Sequence, residues 1–308
     1  MDVVGIGSLA MDVIMRVDVL PKADEFCIIE ETAYLPGGSG TNVIVQLARL
    51  GVSCAYMGQV GDDRIGSDIL ESLRNEGVDI SGMKIKKGGV TLHTDVVVDR
   101  KGDKFIMLDM GNSFSALSRN DVDISLIKES KILYTDLFPP DAAMMSLKTA
   151  HENSLKTIFN MQAQLQSYEN LGVSKKEILN SLQYASIFAP CRAGLFQLAG
   201  TEDLEQCLLF IRNYFNGIFI VTLGSSGSVT WDEKNKRIDF PARTITPIDT
   251  TGAGDSFIGS FIYRYYFAGS SLEDAIQFAN ACAAYTCTGV GARFSPTLQQ
   301  AEEFFVNS

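Results

Sequence analysis

Apolar residues along this chain switch repeatedly between two periods. Val3, Val4 and Ile6 form a closed apolar run, so residues 2–8 predict a buried first strand. Residues 13–17 and 27–31 alternate apolar and polar, with charges between the two runs, and predict exposed antiparallel strands. Pro36-Gly37-Gly38-Ser39-Gly40 is a turn signal, and the segment after it, 41–51, has helical spacing and ends on the C-cap glycine Gly51. Strand and helix patterns then alternate. Residues 54–60 predict a strand and 65–76 a helix stopped by Gly77. Residues 91–99 and 104–109 predict a hairpin across Arg100-Lys101-Gly102-Asp103. Residues 132–135, 157–160, 186–189 and 218–223 predict short parallel strands between helices. This alternation implies an α/β fold, a doubly wound, mostly parallel sheet flanked by helices, with binding at the carboxyl ends of the strands. The exposed runs near 13–35 and 91–109 predict a small β-sheet beside the main one, placed to act as a lid. No repeat or linker divides residues 1–308, which predicts one domain.

Composition fits that picture. Of 308 residues, 46% are hydrophobic and 20% charged, enough apolar material for one large core. No uncharged apolar run reaches 18 residues, so no membrane span is expected. The start Met1-Asp2-Val3-Val4-Gly5 has no basic segment of a secretory signal. Cys27, Cys54, Cys191, Cys207, Cys282 and Cys287 form no C-x-x-C pair, and His93 and His151 are the only histidines, so structural zinc is not expected. Scattered cysteines predict reduced thiols in a cytoplasmic protein. The net charge of −11 argues against a nucleic-acid partner, which would want a basic stripe.

Three glycine loops are candidates for chemistry. Asp249-Thr250-Thr251-Gly252-Ala253-Gly254-Asp255-Ser256-Phe257 leads into an apolar helix expected over 257–267. Small residues let backbone approach a ligand closely, and the N–H groups at a helix start attract phosphate. A carboxylate there, Asp255, can take the proton of a hydroxyl attacking phosphorus. A plain turn with Asp255 as N-cap accounts for the same residues. Gly37-Gly38-Ser39-Gly40-Thr41-Asn42 also opens a helix, with Asn42 on its first turn. Thr222-Leu223-Gly224-Ser225-Ser226-Gly227 follows an apolar strand where a nucleotide-facing loop belongs. Gly5-x-Gly7-x-x-Ala10 has the spacing of a dinucleotide fingerprint, but the strand-like alternation after it is wrong for one. Asp12 is a lone carboxylate just past the first strand, within reach of a substrate or simply solvated.

Taken in order, these motifs resemble the ribokinase family, the pfkB-type carbohydrate kinases, over essentially the whole chain. The loop at 37–42 through Leu50-Gly51 is similar to the family's first signature. Val60-Gly61-Asp62-Asp63-Arg64-Ile65-Gly66 is similar to the segment that follows it, and 249–255 to the second signature. The resemblance implies an ATP- and Mg2+-dependent kinase acting on a hydroxyl of a small sugar or nucleoside. It makes Asp255 the base, with Gly252, Ala253 and Gly254 as an anion hole. It assigns substrate hydroxyls to Asp12, Gly38 and Asn42, with Asp136 as a fourth partner. It sets Thr222, Gly224 and Gly227 toward the nucleotide and Asn280 near the adenine. It also implies a monovalent cation, K+, beside Asp249, Thr251, Gly291 and Ser295. Independently of it, the open sheet edge left by the runs near 13–35 and 91–109 predicts pairing with a second copy, a homodimer through the lid. The chain departs from the family at Cys191-Arg192-Ala193-Gly194. There Cys191 and Gly194 stand where an Asn-x-x-Glu element linked to magnesium and phosphate is expected.

An active kinase and a silent sugar or nucleoside binder are the two functions this sequence admits. The intact loop ending in Asp255 favours the kinase, and the missing Asn-x-x-Glu the binder. Ser39 and Ala10 replace a lysine and a polar residue frequent in ribokinases proper, which turns the expectation away from ribose. No basic residue marks Ser39 or Met161-Gln162-Ala163-Gln164, which predicts an unphosphorylated sugar. Phe26, Tyr34, His93 and Phe105 are the lid rings that a nucleoside base would use.

Overall fold

The computed structural model describes residues 1–307. Its strands in chain order are β1 (Val3–Ile6), β2 (Ala10–Val17), β3 (Ile29–Gly37), β4 (Cys54–Gly61), β5 (Met83–Lys86), β6 (His93–Val98) and β7 (Lys104–Asp109). They continue as β8 (Ile132–Thr135), β9 (Lys156–Phe159), β10 (Ile187–Phe188), β11 (Ile218–Thr222), β12 (Ser228–Trp231) and β13 (Arg237–Phe240). The helices are α1 (Ser39–Arg49), α2 (Arg64–Asn75), α3 (Ile124–Lys128), α4 (Pro140–Glu152), α5 (Leu165–Asn170) and α6 (Lys175–Ser181). They end with α7 (Arg192–Ala199), α8 (Leu204–Ile211), α9 (Ala253–Ile262), α10 (Leu272–Thr286) and α11 (Leu298–Asn307).

Nine strands form the main sheet in the order β13-β12-β11-β10-β9-β8-β1-β4-β5. Only β12 and β13 run antiparallel to their neighbours, so the sheet is mostly parallel, as the alternating pattern predicts. Every residue of the adjacent strands β1 and β8 is buried, because helices cover both faces of a parallel sheet. The core runs through these strands and the helices on them. No helix among the described residues is long and apolar enough to cross a membrane.

The second sheet is the lid, in the order β3-β2-β6-β7. The direction of one lid pair is open in the sequence, and two details differ from expectation. β2 pairs β6 in parallel, although both outer pairs are antiparallel. Residue alternation carries no strand direction, so it could not distinguish these arrangements. β3 runs to Gly37 and includes Pro36; it is an edge strand, where a missing N–H breaks no inner ladder. α9 starts at Ala253 and stops at Ile262, where a π-turn over Tyr263–Phe267 takes over.

Chain crosses between the sheets four times, and the crossings touch in two pairs. Gly38 (φ 87°) lies so close to Leu9 that an added Cβ would sit 2.5 Å from the Leu9 Cα. Gly111 (φ 56°) lies against Val90, with the Val90 carbonyl oxygen 2.2 Å from the place of a Cβ. Only glycine tolerates both the left-handed backbone and these approaches.

Candidate active site

α1 and α9 converge at their N-termini. Gly38 caps α1 and Gly252 caps α9, neither with a side-chain hydrogen bond. Asp255 lies inside the first turn of α9, not at its cap, which excludes the plain N-cap role. Its buried carboxylate is held from the facing helix. Ser39 Oγ donates to Oδ1 at 2.5 Å and Asn42 Nδ2 to Oδ2 at 2.8 Å. Ser39 and Asn42 are three apart on α1 and so share one face. Burial pushes the Asp255 carboxyl up to about 6, against the pull of those two bonds. In the first turn of α9, Ala253 N donates to the Thr250 carbonyl and Ser256 N to that of Gly252. The N–H groups of Gly254 and Asp255 are left as donors without a partner among the described residues.

Beside that helix start opens a cavity of about 620 Å3. Thr222, Gly224, Gly227 and Asn280 line it together with Ala253 and Gly254, so the four residues expected at the nucleotide share one space with the glycine loop expected to hold an anion. Asn280 Nδ2 donates to Ser228 Oγ at 3.0 Å. Ala283, Ala284, Ile245 and Pro247 add apolar wall of the kind a flat heterocycle covers. Cavity, glycine loop and unpartnered amides together fit a nucleoside polyphosphate. No cluster of three or more His, Cys, Asp or Glu among the described residues makes a metal cage. Magnesium would arrive on the phosphates, with water completing its shell.

The expected substrate residues separate into two groups. Asn42 and Gly38 sit at the start of α1, and Asp12 on the lid strand β2, where its Oδ1 accepts the Thr94 hydroxyl of β6. Asp136 is different. It is fully buried, and its oxygens accept from Ser8 N, Ser8 Oγ and Phe138 N. Burial pushes this carboxyl up to about 6 as well. With these donors it braces the chain just past β1, at Ser8.

Of the four residues expected at a monovalent cation, three meet. Asp249 Oδ1 accepts from Thr251 N and Oγ1, and its Oδ2 accepts from Gly291 N at 2.9 Å. Ser295 turns elsewhere, its Oγ and carbonyl both accepting from Arg49 Nη1. At the departure from the family pattern, Cys191 caps α7, its Sγ accepting from Gly194 N at 3.4 Å. A Cβ on Gly194 would stand 2.6 Å from the Ala163 carbonyl oxygen, so any larger side chain here requires the Ala163 segment to shift.

Sequence reasoning missed two partners. Ser39 drew notice as a substitution, not as the hydroxyl on Asp255. Arg293 drew none; its Nε donates to Asn42 Oδ1 at 3.1 Å from 251 positions away, and the one available signal was a cation between Ala292 and Phe294.

With this geometry in hand, comparison with known proteins gives the class. Residues 1–299 match the pfkB family of carbohydrate kinases, and the chain belongs to that family. It is a sugar or nucleoside kinase of that family. Two relatives bracket its neighbourhood. It is 29% identical over 306 residues to an ATP-dependent ribose-1-phosphate kinase of Halopiger xanaduensis, covering 98% of this chain and 97% of that one. It is 30% identical over 301 residues to fructokinase-1 of Zea mays, covering 90% and 91%. Its fold matches a putative ribokinase II from E. coli solved with ATP and Mg2+, with a TM-score of 0.87 at 22% identity over 100% and 99% of the two chains.

Proposed function

We propose that this kinase transfers the terminal phosphoryl group of ATP to a hydroxyl of a small unphosphorylated sugar, with Asp255 as the general base. The observation that carries the proposal is the Asp255 carboxylate, held by Ser39 and Asn42 on the helix turn whose free amides open beside the 620 Å3 cavity. Bound ATP with Mg2+ supplies the phosphoryl group and part of its charge neutralisation. The chain supplies the rest. Gly252, Ala253 and Gly254 form the anion hole, at which the unpartnered N–H groups of Gly254 and Asp255 meet the phosphoryl oxygens. Asp12, Gly38 and Asn42 orient the acceptor between lid and sheet. Asp255 takes the hydroxyl proton as the oxygen–phosphorus bond forms and the bond to the leaving nucleoside diphosphate breaks. A carboxyl raised to about 6 is ionised at neutral pH and a stronger base than an ordinary aspartate.

Lid cations support an acceptor without a phosphate. Arg16 pairs with Glu31, and Arg100 with Asp18 and Glu30, so each is already engaged by an acid of the lid. Asp249, Thr251 and Gly291 are the group to which a K+ ion would bring positive field beside the anion hole. The lid also carries a pairing surface. β7 is an edge strand exposed along its whole length, including Phe105, Ile106, Met107 and Leu108, and a second copy would cover it. A monomer by sedimentation at assay concentration would remove that dimer.

The test is ADP release across a panel of free sugars, phosphosugars and nucleosides, with Asp255→Asn beside the wild type. General bases contribute roughly 100- to 10,000-fold, and kcat falls by that much while substrate binding persists. Asp255→Asn within about threefold of wild type would sink the base assignment. A phosphosugar that clearly outruns every free sugar overturns the unphosphorylated acceptor. A wild type that binds sugar without turnover at any Mg2+ concentration is the silent binder.

A further inference from the structure

Behind Asn42 stands a second layer that the transfer does not touch. Arg293, half-buried, lies on the loop between α10 and α11 and spreads its guanidinium over two helices. Nε donates to Asn42 Oδ1 at 3.1 Å, Nη2 to Thr41 Oγ1 at 3.0 Å, both on α1, and Nη1 to Ser72 Oγ on α2 at 2.7 Å. The Arg293 carbonyl accepts from Arg49 Nη1 at 2.5 Å, and Arg49 is bound in turn to Glu76, so the loop is anchored at its backbone too.

An asparagine amide fits its site in either of two orientations unless its partners differ in kind. Here they do. Guanidinium is only a donor, so Arg293 requires the oxygen of Asn42 to face it. The Nδ2 group is thereby turned to Asp255 Oδ2, 2.8 Å away. We infer that Arg293 is a positioning residue of this kinase, fixing the Asn42 amide so that it donates to the Asp255 carboxylate.

The inference rests on Asp255 being the base. Without Arg293, nothing with the same one-sided chemistry holds Asn42 Oδ1. The ionised Asp255 carboxylate still demands Nδ2, so the amide turns only as Asp255 takes up a proton to donate to Oδ1, and this alternative favours the protonated form. The same guanidinium favours the carboxylate at longer range. The groups bearing on Asp255 are Ser39 and Asn42 of α1, Asp136 and Tyr134 at the end of β8, and Arg293. Of these, Asp136 pushes its carboxyl up and Arg293 pulls it down. Burial draws Arg293 itself down to about 10, so it remains a cation at every pH at which the enzyme would be assayed.

The test compares kcat against pH, by ADP release at saturating sugar and ATP, for wild type, Arg293→Met, Arg293→Lys, Ser72→Ala and Asp255→Asn. Arg293→Met removes the donor and the charge. Its kcat should fall roughly 10- to 100-fold, the scale of a lost charge-assisted bond. Its acidic limb should move up by about one pH unit, as expected when a cation near a carboxylate is removed. Arg293→Lys keeps a cation with one reach and should fall between the two in both readouts; it also decides the matter if the Met variant does not fold. Ser72→Ala loses a bond of the same guanidinium on the side away from Asp255 and should leave the limb in place. An unmoved limb in the arginine variants, or the same kcat loss in Ser72→Ala as in Arg293→Lys, overturns the inference and leaves Arg293 a structural brace. In either of those cases, an inactive Asp255→Asn keeps the base assignment intact. An Asp255→Asn variant as active as wild type instead sinks that assignment, and this inference with it.

Discussion

Burying an ionisable base has a thermodynamic signature that can be measured without substrate. The Asp255 carboxyl rises from 3.8 to about 6 on folding, chiefly through burial, while Ser39 and Asn42 oppose the rise. A group whose folded value is raised contributes stability below its unfolded value, and that contribution is lost as pH climbs through the folded value. Here the window is from about pH 4 to above pH 6. At about 1.4 kcal/mol per pH unit, full ionisation of Asp255 in the folded state costs roughly 3 kcal/mol. Asparagine avoids that cost because it never ionises. It also fits the hydrogen bonds: its oxygen accepts from Asn42 Nδ2, and its amide donates to Ser39 Oγ once that hydroxyl rotates. A chain of 308 residues unfolding with about 2.1 cal/mol/K per residue shifts its Tm by roughly 1.5 °C per kcal/mol. Asp255→Asn should therefore melt roughly 4–5 °C above wild type at pH 8, with most of the gain gone near pH 4. Calorimetry over that range is the assay, run beside the kinetics so that lost turnover and gained stability come from one preparation. A variant no more stable than wild type at pH 8, or equally stabilised at pH 4 and pH 8, would refute charge burial as the origin of the raised carboxyl.

Gly194→Ala should lower Tm by roughly 2–5 °C, since overpacking against the Ala163 carbonyl costs on the order of 1–3 kcal/mol. Cys191→Asn alone should fold as well as wild type or better, because asparagine is a stronger N-cap than the thiol; equal melting of Gly194→Ala and wild type would mean that the Ala163 segment yields. ADP release should be faster in K+ than in a bulky organic cation at matched ionic strength, and equal rates would dispose of a cation at Asp249, Thr251 and Gly291.

Much of the scaffold was legible because it is periodic. The closed apolar runs that became β1 and β8, and the glycine loops that open α1 and α9, carry their signals locally. Thr222, Gly224, Gly227 and Asn280, which the family resemblance sets toward a nucleotide, line one cavity. What escaped is what depends on distant partners. Nothing near Ser39 announces a carboxylate 216 positions away, and nothing near Asn42 announces Arg293. Asp136 looks like an available carboxylate in sequence, yet Ser8 and Phe138 enclose it from segments on both sides. The close approach of the Ala163 carbonyl to Gly194 is a steric fact that only the packed chain contains.

The paired crossings between the two sheets restrict how the lid can move. Gly38 against Leu9 is one close backbone approach and Gly111 against Val90 the other. A side-chain contact adds to them, with Arg64 of α2 over the Tyr34 ring of β3 at 5.0 Å. A lid movement that kept both backbone approaches would be a rotation about the line joining them, and it would part Arg64 from Tyr34. Asp12 lies on the lid three residues from Leu9, whereas Asn42 and Asp255 stand on helices of the main body. In such a rotation the strand ends beside the crossings, Asp12 and Asp109 among them, would travel a short arc and the far ends of the lid strands a long one.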